Sequence, residues 1–374
     1  MNIPKELSSP IILYENLSQH FGDPEKNAFS TPFDQVRKLT IHSVRNRYYT
    51  QFEIPKKSGG VRTITAPAWC LKHLQRYLAD LLSSCFEPED CVHGFVKGRS
   101  VLTNAEWHVG KYYVLNIDLK DFFPSITEQM VSNGLHACGI NRQVSDIIAS
   151  ICTWTDSHED DLPVDVLPQG APTSPILSNY ACIIMDMRLE HLARRFGLTY
   201  TRYADDMTFS SYHSVYAKDS EFWKELRDII SQSGFIINEA KTRLLKRGSR
   251  QEVTGITVCE KPNVSRKWLK NLRAAIYHAE MYGYRSEKEY LSVKGKLAYL
   301  KMVRGWDLLY EKLYLRALYA HSSIPLLQQH MWYPRQISWT GLSFGCPIRI
   351  GYESDSNMAD SDDYEDISSY NPFE

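Results

Sequence analysis

Tyr203-Ala204-Asp205-Asp206 decides the fold of this 374-residue chain. Leu198-Thr199-Tyr200-Thr201-Arg202 precedes it and Met207-Thr208-Phe209-Ser210 follows, both runs rich in β-branched and aromatic residues. The spacing predicts a hairpin over 198–210 with two adjacent carboxylates at its tip. Neighbouring Asp side chains repel, so a site that keeps both ionised needs a cation. Mg²⁺ in particular binds through one or two carboxylates plus substrate phosphates. A solvated turn would carry the same two acids. The choice between the two depends on a third carboxylate and a nucleotide pocket elsewhere in the chain.

Tyr112-Tyr113-Val114-Leu115-Asn116-Ile117-Asp118 reads as a buried strand that ends in an acid. If that strand lies beside the hairpin, Asp118 faces Asp205 and three carboxylates converge. Such a set suits two metal ions that clamp the attacking and leaving oxygens of an in-line phosphoryl displacement. Asp118 alone could equally be a strand-end turn residue.

Around this centre, residues 1–50 read as helical segments broken by Gly22, Pro24 and Pro32. Residues 51–66 read as a hairpin with a basic tip, Lys56-Lys57-Ser58-Gly59-Gly60. Helical periodicity covers 68–86, 127–154, 174–196 and 218–233, and short strands are expected at 235–238, 243–246 and 253–258. From Ser265 to about Gln329 the chain reads as mostly helical. This is an α+β order followed by a basic helical part.

The net charge of −1 conceals segregation: residues 353–374 hold eight of the 44 acids and no Lys or Arg, which leaves the body about +7. The acidic tail reads as disordered, and the basic body suits a polyanionic partner. Basic residues cluster at Lys241, Arg243, Lys246, Arg247, Arg250, Lys261, Arg266, Lys267, Lys270 and Arg273. The eight cysteines are scattered without a Cys-x-x-Cys pair, which argues against a zinc site or disulfide framework and fits a reducing cytosol. No signal pattern or membrane-spanning apolar run is expected, so a cytoplasmic location with no membrane partner follows.

The order Val61-Arg62-Thr63-Ile64, Asp118 with Phe122-Phe123, Leu167-Pro168-Gln169-Gly170-Ala171-Pro172-Thr173-Ser174-Pro175, Tyr203-Ala204-Asp205-Asp206 and Gly234-Phe235 leading to Lys241 resembles a reverse transcriptase over roughly residues 50–260. Asn104-Ala105-Glu106-Trp107-His108 and Val253-Thr254-Gly255 look like elements of the bacterial retron enzymes. His108 by itself is also what a packing histidine looks like.

The resemblance implies a right-hand polymerase of class α+β with fingers, palm (antiparallel sheet plus helices) and helical thumb. Its parts would be an N-terminal helical extension (1–50), fingers (51–110), palm (111–260, with a fingers insertion about 127–170), thumb (261–335) and a C-terminal segment (336–374). It implies metal binding by Asp118, Asp205 and Asp206, with two Mg²⁺ ions (Mn²⁺ being possible), and a proton-donating Lys241. Arg62, assisted by Lys56 or Lys57, would grip the triphosphate, and backbone N–H groups near Asp121 and Phe123 would hold phosphate oxygens. Phe123 would reject a 2′-hydroxyl, with Phe122 turned into the core, and Gln169 and Gly170 would lie beside the nucleotide and template base.

Asn104, His108, Val253, Thr254, Gly255, Arg266, Lys267 and Lys270 would face primer and RNA. The implied function is RNA-directed synthesis of multicopy single-stranded DNA from a structured retron RNA, primed by an RNA 2′-hydroxyl. Partners would be the cognate RNA and its DNA product, deoxynucleotide triphosphates, a separate effector protein for anti-phage defence and a host ribonuclease H. A group II intron-like or other bacterial reverse transcriptase is the alternative. An RNA–DNA-binding scaffold that restrains an effector is the alternative from another class.

Overall fold

The computed structural model describes residues 3–20, 32–56, 59–156 and 163–322. Lys57 and the acidic segment 353–374, both singled out above, lie outside the described residues. Two units are distinct, one running to Ser265 and one starting at Arg266.

In the first unit, strands β1 (Tyr49–Pro55) and β2 (Val61–Pro67) pair antiparallel from Tyr49↔Pro67 to Pro55↔Val61. Gly59 and Gly60 both take positive φ in the turn between them, a conformation that costs glycine little. Helix Trp69–Cys85 follows and buries Leu71, Leu74, Leu78 and Leu82, the i, i+3, i+7, i+11 stripe of an amphipathic helix. After β3 (Tyr113–Asp118), helices Glu128–Ala137 and Arg142–Cys152 start under side-chain caps from Thr127 and Asn141. Strands β4 (Trp154–Asp156) and β5 (Val164–Val166) pair with each other, and helix Ser174–Arg195 leads to β6 (Thr199–Tyr203) and β7 (Asp206–Ser211). Helix Glu221–Gln232, β8 (Arg243–Lys246), β9 (Glu252–Val253) and β10 (Ile256–Thr257) complete the unit.

The central sheet has the order β6-β7-β3-β8, antiparallel throughout. Alternation of side chains gives its two faces different tasks. Leu115 and Ile117 lie opposite Phe209 and Met207 on the face packed against helices, where Phe209 also stacks with Tyr200 and meets Phe222 edge-on. Asn116 and Asp118 lie opposite Thr208 and Asp206 on the other face. The strand expected at 235–238 is not formed. That stretch runs along the end of β3 with a single bridge, Ile237 to Leu119, because its hydrogen bonds reach only Asp118, the last residue of the strand, and Lys120 beyond it.

The second unit is built from helices Arg266–Tyr282, Glu287–Arg304 and Leu308–Ser322. Their buried stripes include Leu272, Ile276 and Ala279 on the first, and Val293, Leu297, Leu300 and Val303 on the second. Ser286 caps the second helix by accepting from the Glu289 N–H, and Gly305 ends it at φ 71°.

Candidate active site

The register places Asp118 directly opposite Asp206, at the end of the sheet's open face. The sequence alone suggests Asp205 as its partner. Asp205 sits instead in the turn, where its carbonyl accepts the Leu119 N–H at 3.1 Å. The one-residue difference follows from Ala204, which takes φ 56° so that the tight turn leaves Tyr203 and Asp206 as the last cross-strand pair.

Both oxygens of Asp118 are engaged. Asn238 Nδ2 donates to Oδ1 at 2.8 Å and Lys241 Nζ to Oδ2 at 2.9 Å, while the Asn238 N–H holds the Asp118 carbonyl at 2.8 Å. The Lys241 hydrogen bond, against a smaller cost of desolvation, raises the Lys241 pKa and keeps its ammonium protonated. Burial raises the Asp205 carboxyl, its own backbone N–H opposes this, Asp118 adds to it, and the charges of Lys241 and Arg62 pull back. Asp206 opens on a cleft yet is surrounded by protein mass. Burial, then Asp205 and Asp118, push its carboxyl up to about 7. The three acids thus carry more negative charge than the chain neutralises.

Among the described residues, no set of three acidic, His or Cys side chains is already drawn together around a metal position. The fit is one of chemistry: hard oxygen donors, excess negative charge and an internal cation occupying Asp118.

The turn is held from the helix-packed face by Arg202, whose side chain is fully buried. Its Nε donates to Asp186 Oδ1 at 2.8 Å and its Nη2 to Oδ2 at 2.6 Å, while Nη1 reaches the Ala204 carbonyl at 3.2 Å. Asn179 accepts from Nη2 at 3.1 Å and donates to the Gly94 carbonyl at 2.9 Å. Asn179 and Asp186 both come from helix Ser174–Arg195. Gly94 lies against the turn so closely that a Cβ there would stand 2.3 Å from the Ala204 nitrogen. No sequence motif announced this network. The signal available was a lone Arg inside a Tyr-Thr-Arg-Tyr strand.

His108 is fully buried, with Nδ1 2.7 Å from Ser210 Oγ and Nε2 2.7 Å from Thr201 Oγ1. It ties β6 to β7 below the acids and has no surface to offer RNA, which corrects its assignment as an RNA-facing residue. Asn104 is also buried, and its Nδ2 donates to Thr254 Oγ1 at 3.3 Å. Thr254 and Gly255, at φ 45° and 81°, form the two-residue turn between β9 and β10, and Thr254 Oγ1 donates to the Val101 carbonyl at 3.2 Å. Two left-handed residues in succession make this a type I′ turn. Val253 is buried in it. A cleft of about 300 Å³ runs from Asp206 along Asn116, Thr208 and Arg243 to Thr254 and Gly255.

Among the nucleotide-facing candidates, Arg62 is exposed on β2 and close enough for its charge to act on Asp205. The Gln169 carbonyl accepts the Thr65 N–H at 2.8 Å, joining that loop to β2. Gly170, at φ 129°, would bring a Cβ within 2.9 Å of Ile64. Asp121 takes φ 46° and opens the single-turn helix Phe122–Ser125. Phe122 is buried and stacks on Phe235, while Phe123 is only partly buried. Arg266, Lys267 and Lys270 are exposed at the start of the second unit. Among the described residues, the four non-glycine positions with positive φ are Phe95, Asp121, Ala204 and Thr254, and each adjoins an element of this site.

A protein-family model described as reverse transcriptase (RNA-dependent DNA polymerase) matches residues 54–293. The retron Ec86 reverse transcriptase of Escherichia coli is 37% identical over 279 residues, covering 73% of this chain and 78% of that protein. The chain belongs to the reverse transcriptase family, among the retron enzymes. The retron Mx65 reverse transcriptase of Myxococcus xanthus is 41% identical over 283 residues, 72% of this chain. The match spans 65% of that relative, and 58% of the retron Mx162 reverse transcriptase from the same organism.

The reverse transcriptase match covers the triad, β2 with Arg62, the turn at 254–255 and the start of the second unit. Among the described residues, no helix of this family member is long and apolar enough to cross a membrane.

Proposed function

We propose that the protein is an RNA-directed DNA polymerase that copies a structured retron RNA into multicopy single-stranded DNA. The observation that carries this reading is the placement of Asp118 opposite Asp206 with Asp205 in the adjoining turn, within a matched reverse transcriptase segment. In each cycle a primer hydroxyl attacks the α-phosphorus of a deoxynucleotide triphosphate, a phosphodiester forms and pyrophosphate leaves. Asp118, Asp205 and Asp206 would hold two divalent ions, Mg²⁺ or Mn²⁺, which would supply Lewis-acid polarisation of the phosphoryl oxygens.

The chain's own groups do the rest. Arg62 offers a planar fork of donors to the triphosphate, with Lys57 as its proposed helper. Lys241, held protonated by Asp118, is the proton source for the leaving pyrophosphate. Gly170, with no side chain to shield its backbone, would let the nucleotide approach beside Gln169, and Phe123 would be the ring that rejects a 2′-hydroxyl. The cleft from Asp206 to Gly255 takes the primer end. Arg266, Lys267 and Lys270 contact phosphates of the RNA–DNA duplex. Family membership supports the remaining parts: priming from an RNA 2′-hydroxyl, removal of template by a host ribonuclease H, and a defence role with a separate effector.

The test is to sequence nucleic acid that co-purifies with the wild type and with a D205N/D206N variant. The wild type should carry a branched RNA–DNA of fixed length, and the variant the RNA alone. An unbranched product would favour an intron-like enzyme, and DNA persisting in the variant would favour a scaffold.

A further inference from the structure

Phe95 is an aromatic residue in a conformation that suits glycine. It takes φ 59°, and its side chain remains 39% exposed, so core packing does not account for the strain. The loop that carries it is pinned on several sides. The His93 N–H donates to the Arg202 carbonyl at 2.8 Å, Asn179 holds the Gly94 carbonyl at 2.9 Å, and the Arg99 guanidinium closes the loop onto the carbonyls of Glu89 and Val92. Gly94 packs so closely on the turn that a Cβ there would meet the Ala204 nitrogen at 2.3 Å. The catalytic turn and Phe95 therefore form one rigid piece. Its ring is aimed at Phe123, with centroids 6.2 Å apart and planes inclined by 38°, within the range of favourable aromatic pairs. Phe122 supports Phe123 from the core side at 5.4 Å, so Phe123 is held between a buried ring and a solvent-facing one.

We propose that Phe95 is a specificity-determining positioning residue: it fixes the Phe123 ring against the 2′ side of the incoming nucleotide, at a distance set by the catalytic turn. This rests on the reading of Phe123 as the sugar gate. Without the Phe95 ring, Phe123 has an open side into which it can swing, and a ribose is then tolerated.

The experiment measures kcat/KM for single incorporation of dCTP and of CTP on one RNA template, using wild type, F95A, F95L, F123A and the F95A/F123A double variant. The readout is the dCTP/CTP ratio, which cancels any loss of active enzyme. F95A should lower the ratio by about two- to tenfold, the worth of one aromatic pair. F95L, which keeps apolar bulk at the same place, should recover part of it and carries the test if F95A does not fold. The double variant should discriminate no worse than F123A, since Phe95 acts through Phe123. An unchanged ratio in F95A and F95L, or additive losses in the double variant, overturns the role of Phe95 while F123A still confirms the gate. An unchanged ratio in F123A overturns the gate itself.

Discussion

His108 shows how a buried polar side chain becomes a pH liability. Burial, then the positive charges of His93 and Lys111, lower its pKa to about 3, and burial lowers that of His93 to about 4. Unfolded histidines titrate near about 6.5, so the unfolded chain takes up these protons first. Stability is full above that value and is lost as pH falls, through a window from about 6.5 to about 4 for His93 and to about 3 for His108. Each such histidine contributes a slope of about 1.4 kcal/mol per pH unit within it. Urea unfolding across pH 7 to 4.5 should show this fall. H108Q should lower stability at pH 7, where two hydrogen bonds to Ser210 and Thr201 are disturbed, and should flatten the slope. At the same scale, K241A should reduce the rate of nucleotide addition by about 10²-fold or more, the usual worth of a positioned general acid, with KM little changed. Pre-steady-state kinetics separates the two.

Among elements, the β6–β7 hairpin depends on helix Ser174–Arg195 through the buried Arg202–Asp186 pair. D186A would leave a buried guanidinium unpaired, which costs about 3–5 kcal/mol. An apolar double replacement, R202M/D186L, should regain much of that stability but not DNA synthesis, because the Ala204 carbonyl loses its donor. Chemical unfolding together with primer extension checks both halves.

The same elements show what the sequence could and could not reveal. Helices and hairpins were legible because their signals are local: the apolar stripe of 69–85 and the β-branched runs around Ala204; the strand expected over 253–258 is instead two short strands broken by the Thr254-Gly255 turn. The triad's residue types were legible too. The pairing of Asp118 with Asp206 was not, since register is set across strands nearly ninety positions apart and a one-residue turn choice shifts it. His108 misled because a motif position says where a residue recurs, not which way it faces. Arg202 and Phe95 were missed because each acts through a partner distant in sequence, Asp186 and Asn179 of helix Ser174–Arg195 for Arg202 and Phe123 for Phe95.

At the scale of the whole molecule, nucleic acid binding should separate from chemistry. Arg266, Lys267, Lys270 and Arg273 share one exposed side of helix Arg266–Tyr282, opposite Leu272, Ile276 and Ala279. Replacing the first three by Gln should lower RNA–DNA affinity with little sequence preference. The slope of log K against log salt should fall by roughly 0.7–0.9 for each phosphate that is no longer neutralised. Binding titrations between 50 and 300 mM salt, about the range in which such slopes are read, would measure it. If the slope is unchanged, that side of the helix does not meet phosphate. The Lys241–Asp118 ion pair has a consequence for the life of the protein before it meets any substrate. A chain that brings its own ammonium to the most buried acid of the site need not wait for a divalent ion to finish folding. A chelator should therefore leave the melting temperature within about 2 °C of its original value. K241A, stripped of that tethered charge, should gain more stability from added Mn²⁺ than the wild type does, and should lose more to a chelator.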